Sequence, residues 1–324
     1  MKRKSILIVT VIIGVLLFGS LFLIGNNVGK SSSEGVLIVT TLYPLYEFSR
    51  EVGQDKVDVT LLLPPGAEAH TFEPKPSDIK KINNADIFLY IGAGMEPWAH
   101  DIIEGSNNLH LSLIDASSKV NLLKSGEHEE HEHEEEEHEH EGEEHEHGEY
   151  DPHIWLDFEN DQKIIIAIAE SLSEKDPANK DFYMKNANDY NAELGKLHTN
   201  YTTSLSNCKQ KEFISGGHNA FSYLAHKYNL QTISAFGISP DSEPTPQKIK
   251  EIVDLTKEHG IKYIYFEKLV SPKMAETIAT EADAKTLILN PGHNLQKEQF
   301  EQGITFISLM EENLENLKIG LECE

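Results

Sequence analysis

Strand-like and helical segments alternate in each half of the chain, and this alternation limits the choice of fold. Short runs rich in β-branched and aromatic residues are separated by amphipathic stretches with helical spacing. The predicted strands are 36–39, 57–63, 87–91, 109–113, 213–215, 231–235, 263–266 and 286–289, and the predicted helices include 45–52, 77–82, 98–104 and 300–317. Because such alternation is typical of mostly parallel sheets, the sequence predicts two α/β lobes.

A long helix is predicted between the two halves. Asp176 and Pro177 suit the start of a helix, as cap and first-turn residue. Beyond them, apolar residues recur every three or four positions, which places one apolar stripe on a helix. The stripe consists of Tyr183, Ala187, Tyr190, Leu194, Leu197, Tyr201 and Leu205. At ~1.5 Å per residue a helix over 178–205 extends about 40 Å, enough to join two lobes rigidly. The alternative is a packing helix inside one lobe.

These segments predict the domain organisation. We expect an N-terminal lobe over 36–160, linking helices over 161–207 that include the long helix, and a C-terminal lobe over 208–324. The chain has 324 residues, of which 39% are apolar, and this suffices for two cores at about 100–200 residues per domain. No coiled-coil or repeat pattern accompanies the long helix, so we expect a monomer.

The N-terminus carries an export signal. Basic residues at positions 2–4 precede an uncharged run over 5–24, and this order directs the rest of the chain out of the cytoplasm. Residues 1–35 are therefore predicted to be a signal peptide or an N-terminal membrane anchor with a tether. The absence of a small-x-small cleavage site over 26–33 favours the anchor, and the absence of a nearby cysteine argues against a lipoprotein.

One segment carries much of the net charge of −26. Residues 127–149 contain fourteen Glu, no Lys and no Arg, so residues 125–149 are predicted to be a disordered His/Glu-rich loop. Its histidines favour weak, exchangeable binding of Zn²⁺, Cu²⁺ or Ni²⁺, although a solvated acidic loop or a pH sensor would have the same composition. They are His128, His131, His133, His138, His140, His145 and His147. The acidity excludes nucleic acid as a partner.

Four more histidines follow or flank the predicted strands. They are His70, His153, His218 and His293, two from each half of the chain. Ligands bind beyond the carboxyl ends of the strands in open α/β sheets, so we predict a metal site in the cleft between the lobes. Four imidazole nitrogens complete the tetrahedral shell of Zn²⁺ and leave no position for activated water. Common enzyme signatures such as His-Glu-x-x-His are absent, so the protein is predicted not to be an enzyme.

Cys208 and Cys323 are the only cysteines. Export permits a disulfide between them. Two unpaired thiols are equally compatible with the sequence, because it does not show whether the two Cα atoms lie within bridging distance.

The segments around the four histidines resemble those of the extracytoplasmic metal-binding proteins that supply zinc and manganese ABC importers. The matching motifs are Pro65-Gly66-x3-His70-x-Phe72-Glu73-Pro74, Asp151-Pro152-His153-Ile154-Trp155-Leu156, His218-x-Ala220-Phe221-x-Tyr223, and Phe266-Glu267 before Ser271-Pro272-Lys273. An acidic, His-rich insertion ahead of the second motif is similar to that of the zinc-specific branch.

The resemblance implies two α/β lobes joined by a long rigid helix, with one ion buried between them. It implies a solute-binding protein that captures Zn²⁺ and delivers it to a membrane permease, which works with a cytoplasmic ATPase. His70 and His153 would be ligands from the first lobe and His218 from the second. Manganese-binding members typically have Glu in place of His218, so histidine favours zinc. Relatives place Asp, Glu or water where this chain has His293.

Glu73 and Glu267 are candidate outer partners that hold imidazole N–H groups in the correct tautomer. A zinc hydrolase with one of these carboxylates as base is a competing hypothesis, and it requires His293 to lie away from the metal. The same motifs are compatible with a manganese or iron importer component, an adhesin that contains this fold, or an extracellular zinc buffer without a transporter.

Overall fold

Two four-stranded parallel sheets organise the computed structural model, which describes residues 35–125, 149–239, 244–269 and 271–324. The predicted signal or anchor, apart from Gly35, and all seven histidines of the predicted loop lie outside the described residues. Within those ranges, no helix combines the length and apolar character needed to cross a bilayer.

The first sheet has the strand order β2-β1-β3-β4. Its strands are β1 (Val36–Thr40), β2 (Val57–Leu61), β3 (Ile87–Tyr90) and β4 (Ser112–Asp115). Helices α1 (Tyr43–Gly53), α2 (Pro76–Asn84) and α3 (Ala99–Glu104) connect them. Apolar side chains of α1 cover one face of the sheet, and those of α2 and α3 cover the other. Strands buried on both faces explain the continuous apolar runs in the sequence.

Two long helices follow the first sheet. They are α4 (Phe158–Lys175), which the Asp157 side chain caps, and α5 (Lys180–Ser206). All seven residues of the predicted α5 stripe are buried. At ~1.5 Å per residue, the 27 residues of α5 extend about 40 Å.

Helix α5 contacts both halves of the molecule. The Tyr190 hydroxyl donates to Glu47 of α1 at 3.2 Å, and the Tyr201 hydroxyl donates to the main-chain oxygen of Met310 near the C-terminus at 2.6 Å. The helix therefore joins the lobes rather than packing inside one of them, and the predicted fold class is confirmed.

The second sheet has the matching strand order β6-β5-β7-β8. Its strands are β5 (Glu212–Ser215), β6 (Gln231–Ser234), β7 (Tyr263–Phe266) and β8 (Lys285–Ile288). The helices of this half are α6 (Ser222–Lys227), α7 (Pro246–Glu258), α8 (Lys273–Ala282), α9 (Lys297–Glu301) and α10 (Phe306–Gly320). A disulfide joins Cys208 to Cys323 and links the end of α5 to the end of α10.

Two predicted elements differ from those observed. The strand predicted at 109–113 begins only at Ser112, because the Asn108 side chain accepts from the main-chain N–H of His110 and forms a turn that leaves Leu109 95% exposed. The helix predicted over 300–317 is interrupted, because Gly303 has a φ of +70° and Thr305 caps a new helix. Local turn and cap chemistry is the reason in both cases.

Candidate metal centre

The four predicted histidines lie at the carboxyl ends of the two sheets. His70 follows β2, His153 precedes α4, His218 follows β5 and His293 follows β8. His153, His218 and His293 are at most 1% exposed, whereas His70 is partly exposed. Solvent therefore reaches the cluster from the side of His70.

Three of the imidazole rings converge through their Nε2 atoms. The Nε2 of His153 lies 3.3 Å from that of His70 and 3.1 Å from that of His218. The ring centroids of His70 and His218 are 5.3 Å apart. These three histidines form a group whose ligand atoms all lie within 4.8 Å of one another.

A buried carboxylate orients His153. Asp151 Oδ1 accepts from the main-chain N–H of His153 at 2.9 Å and from its ring Nδ1 at 2.8 Å. An ionised carboxylate only accepts hydrogen bonds, so Nδ1 carries the hydrogen and the neutral ring presents an unprotonated Nε2. Sequence reasoning did not assign this role to Asp151, although an Asp two residues before a ligand His is a recognisable local signal.

His218 is held in the same way from a more distant part of the chain. Glu267 Oε1 accepts from the main-chain N–H of His218 at 3.1 Å and from its Nδ1 at 2.8 Å. A Cβ atom at Gly217 would collide with Glu267 Oε1, so the glycine permits this close approach. Glu73, the second predicted outer partner, is exposed, and within the described ranges it makes no hydrogen bond to a site histidine.

His293 lies beside this cluster. Its ring centroid is 6.0 Å from that of His218, and ligand atoms of His218, Glu267 and His293 form a second group within 4.8 Å. In the described part of the chain, the buried Nε2 of His293 has no hydrogen-bond partner. A buried polar atom without a partner costs free energy, and a bound cation would remove that cost.

The titration of these rings differs with their surroundings. Burial, helped by the neighbouring imidazoles, holds the pKa of His70 well below its ordinary value. Burial also lowers the pKa of His293 to about 4. Burial alone would lower the pKa of His218, but the Glu267 carboxylate outweighs it and raises that pKa. In the metal-free protein, His218 therefore retains a proton to higher pH than His70 or His293 does.

This arrangement is suited to a divalent cation. His153 and His218 donate their Nδ1 hydrogens to carboxylates, so in the neutral state their Nε2 lone pairs face each other across 3.1 Å. Facing lone pairs repel unless a cation lies between them. Two nitrogens bound at ~2.0–2.1 Å to a tetrahedral ion are about 3.3 Å apart. The Nε2 atom of His153 lies 3.3 Å from that of His70 and 3.1 Å from that of His218, which agrees with this separation.

The ends of the predicted His/Glu-rich loop lie next to this site. Lys124 and Tyr150 form an antiparallel bridge, and the main-chain N–H of Asp151 donates to the oxygen of Leu123 at 2.9 Å. The chain therefore returns from residues 126–148 directly into the Asp151 and His153 segment.

Comparison with known proteins identifies relatives of the whole described chain. The model of the family described as zinc-uptake complex component A, periplasmic (ZnuA), matches residues 38–320. The high-affinity zinc uptake system protein ZnuA of Bacillus subtilis strain 168 is 39% identical over 316 residues, which is 95% of this chain and 97% of that protein.

Two further relatives come from one streptococcal protein. The zinc-binding lipoprotein AdcA of Streptococcus pneumoniae R6 is 37% identical over 98% of this chain, and the match spans 61% of the length of AdcA. The crystal structure of the Zn(II)-bound ZnuA-like domain of S. pneumoniae AdcA superposes with a TM-score of 0.74 at 35% identity, covering 89% of this chain and 99% of that one.

Proposed function

Because this chain belongs to the periplasmic zinc-uptake component A family, we propose that it captures Zn²⁺ outside the cytoplasm and delivers it to the permease of an ABC importer. One observation carries the proposal. The Nε2 atoms of His70, His153 and His218 converge at separations that suit a tetrahedral ion, and two buried carboxylates fix the tautomers of His153 and His218.

The proposed ligands are His70, His153, His218 and His293. Four neutral imidazoles leave the double charge of the ion uncompensated among its ligands. Asp151 and Glu267 lie one hydrogen bond further out and supply two negative charges. The second carboxylate oxygen of each is buried and has no hydrogen-bond partner among the described residues. This arrangement balances the ion within a buried site, where an uncompensated charge would be costly.

The donor chemistry supports Zn²⁺ over Mn²⁺. Imidazole nitrogen suits Zn²⁺, whereas Mn²⁺ is bound mainly by carboxylate, carbonyl and water oxygens. The buried Nε2 of His293 next to the three converging rings supports a shell of four protein ligands. Such a shell has no open position for activated water, so transport is favoured over hydrolysis.

Capture and delivery require access and limited motion. The ion enters on the side of His70, the exposed edge of the cluster. Helix α5 packs against both lobes, which supports slight rocking of the lobes rather than wide opening. The lobes are proposed to span 36–160 and 208–324, with the linking helices at 161–207. The monomer would be tethered by its N-terminal segment or secreted, and residues 125–149 would gather ions nearby.

A zinc-uptake assay tests the proposal. In cells that depend on this chain for zinc under limitation, His153→Ala should abolish accumulation of radioactive zinc, because the central ligand of the cluster is lost. His110→Ala, at an exposed histidine remote from the site in sequence and fold, should leave accumulation unchanged. Wild-type accumulation by the His153→Ala variant would contradict the proposed function.

A further inference from the structure

The segment that carries His293 belongs by sequence to the second lobe, yet it is hydrogen-bonded to the first. We call residues 291–295 the His293 segment. Three of its main-chain oxygens accept from first-lobe donors. They are Pro291 O from Trp155 Nε1 at 2.7 Å, His293 O from Tyr43 N at 3.1 Å, and Leu295 O from Gly66 N at 2.8 Å.

One side chain of this segment adds two further bonds to the first lobe. The Asn294 Nδ2 donates to the main-chain oxygens of Pro64 and Ala67, both at 2.8 Å. Its Oδ1 accepts from the main-chain N–H of Leu295 at 2.8 Å. The side chain is 0% exposed. Both amide hydrogens are therefore used between two loops, in a place without competing water.

Chemistry fixes the orientation of this amide. If the oxygen and nitrogen were exchanged, the oxygen would face two carbonyl oxygens and the nitrogen would face the N–H of Leu295. All three contacts would become repulsive, so the observed assignment is the only one that satisfies every group.

The two loops joined in this way carry the two least supported ligands. His153 and His218 are each oriented by a buried carboxylate on Nδ1. In the described part of the chain, no carboxylate hydrogen-bonds to the ring of His70 or His293. Their positions depend on the loops that carry them, and Pro64 and Ala67 lie in the loop that leads into His70.

We propose that Asn294 is a positioning residue of the metal site, whose amide locks the His293 segment to the His70 loop so that His70 and His293 move as one unit. This inference rests on the proposed function. In this inference, the three ligands His70, His153 and His293 move together with the first lobe. Only His218 moves with the second sheet, so His218 is the ligand that separates when the cleft opens.

The test compares Asn294→Ala with Asn186→Ala in the full chain. Asn186 is also a buried asparagine whose Nδ2 bonds a distant main-chain oxygen, that of Val52 at 3.0 Å, but it lies between α5 and α1. Zn²⁺ affinity is measured by competition with a chelating dye, ligand geometry by the visible spectrum of bound Co²⁺, and stability by metal-free thermal unfolding.

We expect Asn294→Ala to bind Zn²⁺ about 10- to 100-fold more weakly and to change the Co²⁺ spectrum, as loss of an outer partner of a metal site does. Asn186→Ala should lower the unfolding temperature but keep wild-type affinity and spectrum. Wild-type affinity and spectrum in Asn294→Ala would overturn the inference, and so would an equal loss of affinity in Asn186→Ala.

A milder variant tests the inference if Asn294→Ala does not fold. Asn294→Ser retains one hydroxyl donor between the loops, so its affinity should fall between those of wild type and Asn294→Ala. If Asn294→Ala does not fold, unchanged affinity and spectrum in Asn294→Ser overturn the inference. Failure of the wild-type protein to bind Zn²⁺ tightly would instead contradict the proposed function itself.

Discussion

His153 and His218 share one hydrogen-bonding pattern, in which a single carboxylate oxygen accepts from both the main-chain N–H and the ring Nδ1 of the same histidine. This double contact fixes the backbone, the ring orientation and the tautomer together. The two carboxylates reach their histidines by different routes, since Asp151 is two residues away and Glu267 comes from the end of β7. Convergence on one geometry supports its importance for the site.

Removing the charge of Glu267 should weaken Zn²⁺ binding. In Glu267→Gln the amide oxygen still accepts from His218, but the negative charge that balances the ion is lost. We therefore expect the affinity for Zn²⁺ to fall about tenfold or more. Glu73→Gln is the matched control, because Glu73 is exposed and should leave the affinity unchanged. Competition with a chelating dye measures both variants. Equal affinities for wild type and Glu267→Gln would contradict this role of the carboxylate.

Zn²⁺ affinity should depend on pH through His218. Its pKa is raised above the ordinary value of about 6.5, so below that pKa the ion must displace one proton. The affinity should then fall about tenfold for each pH unit. The pKa of His70 is lowered and that of His293 is lowered to about 4, so these rings add no proton competition until the pH approaches 4.

Affinity measured from pH 8.5 to 4.5 checks this dependence. Glu267→Gln removes the charge that raises the pKa of His218, so its profile should bend at a lower pH than that of wild type. A fall of a hundredfold or more per pH unit just below pH 6.5 would show that several rings titrate together, against this account.

Helix and strand positions could be predicted where periodicity is strong. The α5 stripe is buried as expected, and β7 coincides with its predicted range, because spacing alone determines which side chains face the core. The break between α9 and α10 was missed. A glycine with positive φ and a threonine cap determine it, and these act over a few residues against a continuous apolar pattern.

Two glycines should respond in opposite ways to alanine. Gly303, between α9 and α10, has a φ of +70°, so Gly303→Ala should lower the free energy of unfolding by about 1–2 kcal/mol. Gly195 lies inside α5, where, among the described residues outside the backbone of α5, a Cβ would meet only Gln162 Nε2 at 3.5 Å. Gly195→Ala should therefore raise the free energy of unfolding by about 0.5–1 kcal/mol. Urea unfolding of both variants checks this pair, and effects of equal sign would contradict it.

In the whole molecule, two sheets of the same strand order present the carboxyl ends of their strands to one cleft. The four histidines were predicted from the sequence as metal ligands, since each follows or flanks a strand or helix with a clear pattern, and their role as ligands stays a prediction. The sequence did not reveal Asp151 as the partner of His153 or Asn294 as a bridge between loops. The Asn294 contacts depend on how distant loops pack together, whereas the Asp151 contact is local, and hydrophobic periodicity records neither of them.

One hydrophobic core is shared by the two lobes. Buried apolar residues extend without interruption from α1 through α4 and α5 to α10. A core shared in this way resists wide separation of the lobes, because opening would expose apolar surface at a cost of about 25 cal/mol per Å². We therefore expect only small movements of the lobes, with a correspondingly small displacement of His218 from the other ligands.

Calorimetric titration with Zn²⁺ and Mn²⁺ tests the central claim most directly. The protein is the chain from residue 35, which forms one compact unit, with and without residues 126–148, whose flanks are already paired by Lys124 and Tyr150. We predict one tight Zn²⁺ site per chain that survives the deletion, with much weaker Mn²⁺ binding. Loss of all tight Zn²⁺ binding with the deleted residues, or equally tight Mn²⁺ binding, would contradict a four-histidine zinc site in the cleft.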